Sequence, residues 1–253
     1  MADPVVILDR VADTQFHDWI GRHYETLWPE LFDPAVVEPV VDRLADLAGT
    51  GAALEFGIGT GRIGLPLSQR GVSVHGIELS PAMITQLQAQ AGASNVGVTL
   101  GDFATSTVDG TFSLVYLLRN TITNMTSQDE QIERFRNAAR HLGPGDVFVI
   151  ENYIPELRRI PPGETTHVFT ATPTHIGVGE YDVVNQTEVS RHWWVIEGEL
   201  KTFSSPHRYV WPSELDLMAR LAGMVLRHRW SGWRGESLTA DSRSHISVWE
   251  KAA

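Results

Sequence analysis

The stretch "ALEFGIGTGRIGLPLSQRGVSVHGIELS", Ala53 to Ser80, reads as strand, glycine turn, helix and second strand, with an acid, Glu78, at its far end. A strand that runs into a glycine turn opening a helix is a nucleotide-site pattern. Glycine is needed there because only a residue without Cβ lets the backbone turn tightly and approach a ligand. Two registers of the pattern coexist. Counting from Gly59, GTGRIG satisfies G-x-G-x-x-G, with Glu78 near the distance expected for the acid that holds a dinucleotide's ribose. Counting from Glu55, EFGIGTG gives an acid followed by G-x-G-x-G, so the glycines begin where the strand stops. Neither match decides alone.

Working outward, Phe16, Trp19, Ile20, Tyr24 and Leu27 recur at helical spacing upstream of the turn. Val36, Val37, Val40, Val41, Leu44 and Leu47 form the apolar stripe of a second helix, with Pro34 in its first turn and Gly49 or Gly51 at its end. Downstream, Ser80-Pro81 starts a helix, Ser as the cap and Pro at the first helical position. NVGVTLGDF, TFSLVYLL and DVFVIENY read as third, fourth and fifth strands, with a helix around QDEQIERFRNAARHL. Strands alternating with helices predict an α/β fold with a doubly wound, mostly parallel sheet.

From Pro161 the grammar changes. HVFTAT and the run from Tyr181 to Trp211 read as hairpin-like antiparallel strands. PSELDLMARLAG returns to helical spacing, and MVLRHRWSGW and SHISVWEK supply two last strands. The expected organisation is one domain over residues 1–253. It has N-terminal lid helices (1–50), a cofactor-binding core (51–160), an antiparallel β insertion (161–211), and a final helix with strands (212–253).

Bulk properties narrow the chemistry. A net charge of −11 and the lack of basic runs argue against nucleic acid as a partner. The absence of cysteine excludes disulfides, thiolate nucleophiles and zinc–thiolate sites. No apolar stretch reaches the roughly 20 residues of a membrane span, and the start MADPVVILDR lacks a signal-peptide pattern, so no membrane partner and a cytoplasmic location are expected. His167, His175, His192 and His207 lack ligand spacing, so no metal site is expected.

Three features separate the two registers. LGDF puts Asp102 and Phe103 at a strand's carboxyl end, where an acid and an apolar ring suit an adenine edge. The sheet is nearly complete by residue 250, which leaves no separate catalytic domain, and two helices precede the first strand as a lid. With these in place the chain resembles a class I S-adenosylmethionine-dependent methyltransferase, in the style of small bacterial natural-product tailoring enzymes. The resemblance rests on the lid helices, LEFGIGTGRI, GIELS, GDF, LVYLLRNTITN and a final antiparallel strand.

That resemblance implies a Rossmann-like methyltransferase fold, S-adenosylmethionine as cofactor, and S-adenosylhomocysteine as its product. It implies that Gly57, Gly59 and Gly61 pass under the methionine and ribose, while Glu55 holds the turn and contacts the methionine amino group. Glu78 would accept both ribose hydroxyls, Leu79 would pack on adenine, and Asp102 and Phe103 would lie at its rim. Arg62 is a partner for the methionine carboxylate, Leu118 offers a backbone carbonyl, and Tyr24 is a lid aromatic over the cofactor.

Methyl transfer from a sulfonium donor is an in-line displacement that depends mainly on positioning in a dry pocket, so no catalytic triad is expected. Asn120 is a candidate for orienting the acceptor and His207 for a general base. Trp28, Arg119, Asn124, Tyr153 and His175 are candidates for the substrate wall, and Glu151 follows the fifth strand in the same rim. The aromatics of HWWVIEG and YVW suit an apolar acceptor pocket or a homodimer surface. The expected reaction moves a methyl group to N, O or activated C of a small organic acceptor. Two alternatives are a non-catalytic cofactor-binding module of the same fold and a nicotinamide-dependent oxidoreductase using GTGRIG.

Overall fold

A computed structural model describes residues 18–253. It opens with helices α1 (Asp18–Leu27) and α2 (Pro34–Ala48), joined by a 3-10 turn at Pro29–Phe32. Phe16, counted above into the first helix, lies outside the described residues. Asp33 starts α2 by accepting the Ala35 N–H at 2.8 Å, and Gly49, with φ +57°, ends it.

The core follows as β1 (Ala53–Phe56), α3 (Gly64–Gln69), β2 (Val74–Glu78), α4 (Pro81–Gln88), β3 (Val96–Leu100), β4 (Phe112–Leu117), α5 (Gln128–His141) and β5 (Leu142–Tyr153). Four strands come next, β6 (Thr166–Ala171), β7 (His175–Asp182), β8 (Thr187–Ile196) and β9 (Glu199–Arg208). Helix α6 (Pro212–Leu221) and strands β10 (Met224–Trp230) and β11 (Ser244–Lys251) complete the chain.

Seven strands form the main sheet in the order β10-β11-β5-β4-β1-β2-β3. Strands β1 to β5 run parallel, and β11 enters antiparallel to both β5 and β10. Alternate residues of each central strand serve opposite faces. Leu114 and Tyr116 of β4 pack with Val40, Val41 and Leu44 of α2 on one side, while Val115 and Leu117 pack with Phe135 of α5 and Leu215 of α6 on the other. Buried on both faces, these strands read as apolar runs, which is why they are conspicuous in the sequence.

Strands β6 to β9 form a separate, wholly antiparallel sheet that shares no ladder with the first. Its inner strand β7 went unread in the sequence, because Gly177 and Gly179 weaken the strand pattern of HIGVGEYD. The glycines are there for space: a Cβ at Gly177 would lie 2.2 Å from the Phe169 ring. Buried Arg208 anchors the sheet to the core, donating to Gln131 Oε1 at 2.6 Å and Glu214 Oε1 at 2.7 Å. At the other end the Trp28 ring meets Trp194 edge-on, with centroids 5.7 Å apart. The second sheet thus roofs the carboxyl ends of the parallel strands. No helix among the described residues is long and apolar enough to cross a membrane.

Candidate active site

The glycine turn starts where β1 stops. Gly57 donates its N–H to the Ile77 carbonyl at 2.8 Å, and Gly57, Gly59 and Gly61 all have positive φ (+70°, +58° and +85°), which favours glycine. Ile58, buried beneath the turn, presses on β2, where a Cβ at Gly76 would lie 2.5 Å from its Cβ. Gln90, just beyond α4, donates to the Thr60 carbonyl and to Glu25 of α1, and Arg62 donates to the Leu31 carbonyl at 3.3 Å. These bonds fasten the turn to the N-terminal helices.

Glu55 is buried inside β1, and the parallel register sets it beside Tyr116, whose hydroxyl donates to Oε2 at 2.9 Å. Burial pushes the Glu55 carboxyl up to about 8, against the opposing pull of Tyr116 and the Arg62 guanidinium. The same carboxylate explains Gly64, where a Cβ would come within 2.9 Å of Oε2.

Glu78 ends β2 and crosses to the glycine turn. Oε2 accepts the Gly59 N–H at 2.9 Å, and Oε1 accepts the Ser80 N–H at 2.8 Å. Burial raises its pKa although backbone donors pull the other way. The Leu79 N–H also donates to this carboxylate, and of the roughly four acceptor sites of its two oxygens the remainder faces a ligand hydroxyl. Leu79, next in sequence, is exposed on the wall of the same cavity.

Asp102 follows β3, and its Oδ1 accepts from the Ala104 N–H at 2.8 Å and from Arg134 at 3.2 Å, leaving Oδ2 without a partner among the described residues. Phe103 stacks on Phe56, with centroids 5.4 Å apart and planes at 13°, and the Arg134 guanidinium lies over its ring, 5.4 Å from the centroid. Arg134 was missed in the sequence, where it looks like one more charge on an amphipathic helix. Only the fold brings it across 32 positions to Asp102.

After β4 the chain makes two consecutive residues with positive φ, Arg119 (+55°) and Asn120 (+60°), an unusual strain for side chains with Cβ. The strain is held from β5: Glu151 accepts the Arg119 N–H at 3.0 Å, and Asn120 Oδ1 accepts the Tyr153 N–H at 2.7 Å. Asn120 is therefore a brace for the loop, with its amide NH₂ left to face other partners. The Leu118 carbonyl accepts both the Thr121 N–H and the Thr121 hydroxyl, so a ligand donor would have to compete for it.

One cavity of about 1650 Å³ joins Glu55, Gly57, Gly59, Glu78, Asp102 and Asn120 to the inner face of the second sheet, while Gly61 and Glu151 do not line it. Small-ligand pockets usually measure about 300–1,000 Å³, so this one has room for a cofactor and an acceptor together. Tyr24, Trp28, Arg62, Leu118, Arg119, Asn124 and Tyr153 line it, as do Glu188, Ser190, His192 and His207 from β8 and β9.

Two expectations are corrected. His175 is absent from the wall: its ring stacks on Trp194 and His192, and Nε2 meets His192 Nδ1 at 2.9 Å, so of this pair His192 is the one that lines the cavity. The alternation of β7 and β8 set that choice, and it could not be read without knowing the register. His207 does line the cavity, with Nε2 3.0 Å from Ser190 Oγ, but burial pushes it down to about 4. It is uncharged at neutral pH and holds a proton poorly, which suits an orienting hydrogen bond better than general-base work. Among the described residues, no three His, Asp or Glu side chains gather in a group that could hold a metal ion.

A family profile described as a methyltransferase domain matches residues 53–145. The CcbJ methyltransferase of Streptomyces caelestis is 34% identical in sequence, with a TM-score of 0.77 over 85% of this chain and 89% of that one. The cypemycin N-terminal methyltransferase of a Streptomyces species is 25% identical over 246 residues, covering 88% of this chain and 98% of its own. SAM-bound CalS10, an amino pentose methyltransferase of Micromonospora echinaspora, shares the fold at 19% identity, with a TM-score of 0.65 over 90% of this chain and 96% of that one. The register beginning at Glu55 thus prevails over the dinucleotide register, and the chain belongs to the class I S-adenosylmethionine-dependent methyltransferases.

Proposed function

We propose that this enzyme methylates a nitrogen, oxygen or activated carbon of a small organic molecule, with the cofactor across the carboxyl ends of β1 to β4 and the acceptor under the antiparallel roof. The observation that carries the proposal is Glu78, whose carboxylate ties the Gly59 and Ser80 amides together and keeps acceptor capacity for a ribose diol. When bound, S-adenosylmethionine supplies a methyl group already activated on a sulfonium sulfur.

Glu55 and Arg62 receive the methionine ammonium and carboxylate, and Gly57, Gly59 and Gly61 let the backbone approach beneath them. Leu79 and Phe103 enclose adenine, and the free Oδ2 of Asp102 accepts from its amino group. Tyr24 and Trp28 cover the site from the N-terminal side. Asn120, braced against β5, presents its amide NH₂ to the acceptor, and Arg119, Asn124, Tyr153, Ser190 and His207 shape the acceptor chamber. These groups bind, orient and exclude water, which is where an in-line displacement gains most of its rate. The names of two relatives specify an N-terminal and an amino pentose methyltransferase, which favours nitrogen as the receiving atom.

Calorimetry with S-adenosylmethionine and S-adenosylhomocysteine tests the cofactor half. Binding below millimolar concentration is expected, and no binding of either would end the proposal. A proton should accompany it. Because burial holds the Glu55 carboxyl up to about 8, most molecules carry that proton at pH 7. A methionine ammonium favours the carboxylate, so binding releases close to one proton and affinity rises with pH until the carboxyl is ionised without help. Titrations in phosphate and Tris should differ in enthalpy by that proton, and Glu55→Gln should abolish the difference.

A further inference from the structure

We propose that Glu188, with Tyr153 and Tyr181, forms the recognition site for a protonated amine on the acceptor, so that the substrate class is amine-bearing organic molecules. The inference rests on the reading of the enclosed cavity as cofactor and acceptor chamber. Glu188 lies on β8, is only 7% exposed, and contributes to the cavity wall. Its Oε2 accepts the Tyr153 hydroxyl at 2.9 Å, and the Tyr181 hydroxyl is also hydrogen-bonded to it. A glycine makes room for the group, since a Cβ at Gly179 would stand 2.6 Å from Oε1.

Burial raises the Glu188 carboxyl above its ordinary range, and the two phenols that donate to it pull back toward the ionised form, which can only accept. A buried carboxylate is ordinarily paired with a cation, because the charge is costly out of water. Among the described residues no Lys or Arg forms an ion pair with Glu188; of the four arginines on the cavity wall, Arg134 pairs with Asp102, Arg243 with Glu156 and Arg62 donates to the Leu31 carbonyl, and Arg119 makes no ion pair with Glu188. Of the imidazoles on the cavity wall, burial lowers both His192 and His207 to about 4, while His167 lies near enough to Glu188 to draw its carboxyl toward the ionised form. With no Lys or Arg paired to it among the described residues, Glu188 has room for a cation from the ligand. An ammonium has three donors to share with the two oxygens, which keep acceptor sites beyond the tyrosine bonds.

Position supports the assignment. Tyr153 reaches Glu188 with its hydroxyl and Asn120 with its backbone N–H, so the carboxylate is fixed to the end of β5, beside the loop that follows β4. Trp28, Phe169 and Phe203 line the same cavity, offering apolar surface to the organic part of an acceptor and ring faces to a cation.

The test uses the whole chain and two probes of nearly equal shape, benzylamine and benzyl alcohol, titrated calorimetrically near pH 7.5 into the protein saturated with S-adenosylhomocysteine and into the free protein. We expect the amine to bind about tenfold tighter than the alcohol, from one charge-assisted contact. In Glu188→Gln the preference should fall to within about twofold while S-adenosylhomocysteine affinity is retained. Tyr153→Phe should reduce the preference severalfold, which keeps the test open if Glu188→Gln folds poorly. Equal binding of the two probes, no binding of either at millimolar concentration, or a preference that persists in Glu188→Gln overturns the proposal. Failure of S-adenosylhomocysteine to bind the wild type counts against the cofactor reading instead, and the titration of the free protein still decides the role of Glu188.

Discussion

Glu78→Ala should raise the dissociation constants of S-adenosylmethionine and S-adenosylhomocysteine about 100-fold. Two charge-assisted hydrogen bonds to the ribose hydroxyls at about 1.5 kcal/mol each give about 3 kcal/mol, which corresponds to that factor. The loss has a second source. The Gly59 and Ser80 amides now accepted by Glu78 would need water or a new partner, so the turn would also be less well held. Glu78→Gln keeps the shape but loses the charge and sets an NH₂ against one of those amides, and about a tenfold loss is expected. Calorimetry measures both, alongside melting curves that show whether the variants remain folded. A folded Glu78→Ala that binds within about threefold of wild type would remove Glu78 from the cofactor site.

Gly76→Ala should cost about 3 kcal/mol of stability. The new Cβ would stand 2.5 Å from Ile58 Cβ and 2.6 Å from both its Cδ1 and Cγ2. Ile58 is 3% exposed and has nowhere to move, because it is pinned between the glycine turn and α3. Overpacking of a filled core typically costs about 1–3 kcal/mol, and a clash with Cβ itself belongs at the upper end. For a chain of this size about 3 kcal/mol lowers the melting temperature by roughly 6–12 °C. Because Ile58 lies between Gly57 and Gly59, cofactor affinity should fall as well, far from any direct ligand contact. A melting point within about 2 °C of wild type would mean that the turn relaxes freely around the added methyl.

Legibility from the sequence divides along the chain by the range of the interactions. From Ala53 to Tyr153 each element announces itself locally: buried apolar runs, glycines at strand ends, and Ser80-Pro81, whose Ser80 Oγ does accept the Met83 N–H at 3.3 Å. The third strand stops sooner than the pattern suggests, at Leu100, and Gly101 turns back to donate to the Glu78 carbonyl. The roof is different. Glu188, Ser190 and His192 face the cavity only because β8 pairs with β7 and β9 in one register, and a slip of one residue would turn all three outward. Tyr153 and Glu188 are 35 positions apart, and Asn120 and Tyr153 are 33, so no local window holds either pair. Asn120 was legible as a rim residue, and the Tyr153 N–H set against its Oδ1 gives it the work of a brace.

The independence of the two sheets bears on how new specificities arise in such an enzyme. Every ladder bond that supports Glu55, the glycine turn and Glu78 lies within the main sheet, and none passes through β6 to β9. Exchanging side chains at Ser190, His192 or Phe203 therefore redraws the chamber without loosening the cradle beneath it. Laboratory evolution toward foreign substrates should find its productive changes concentrated on that one inward surface, while libraries spread across the parallel strands mostly yield unfolded protein.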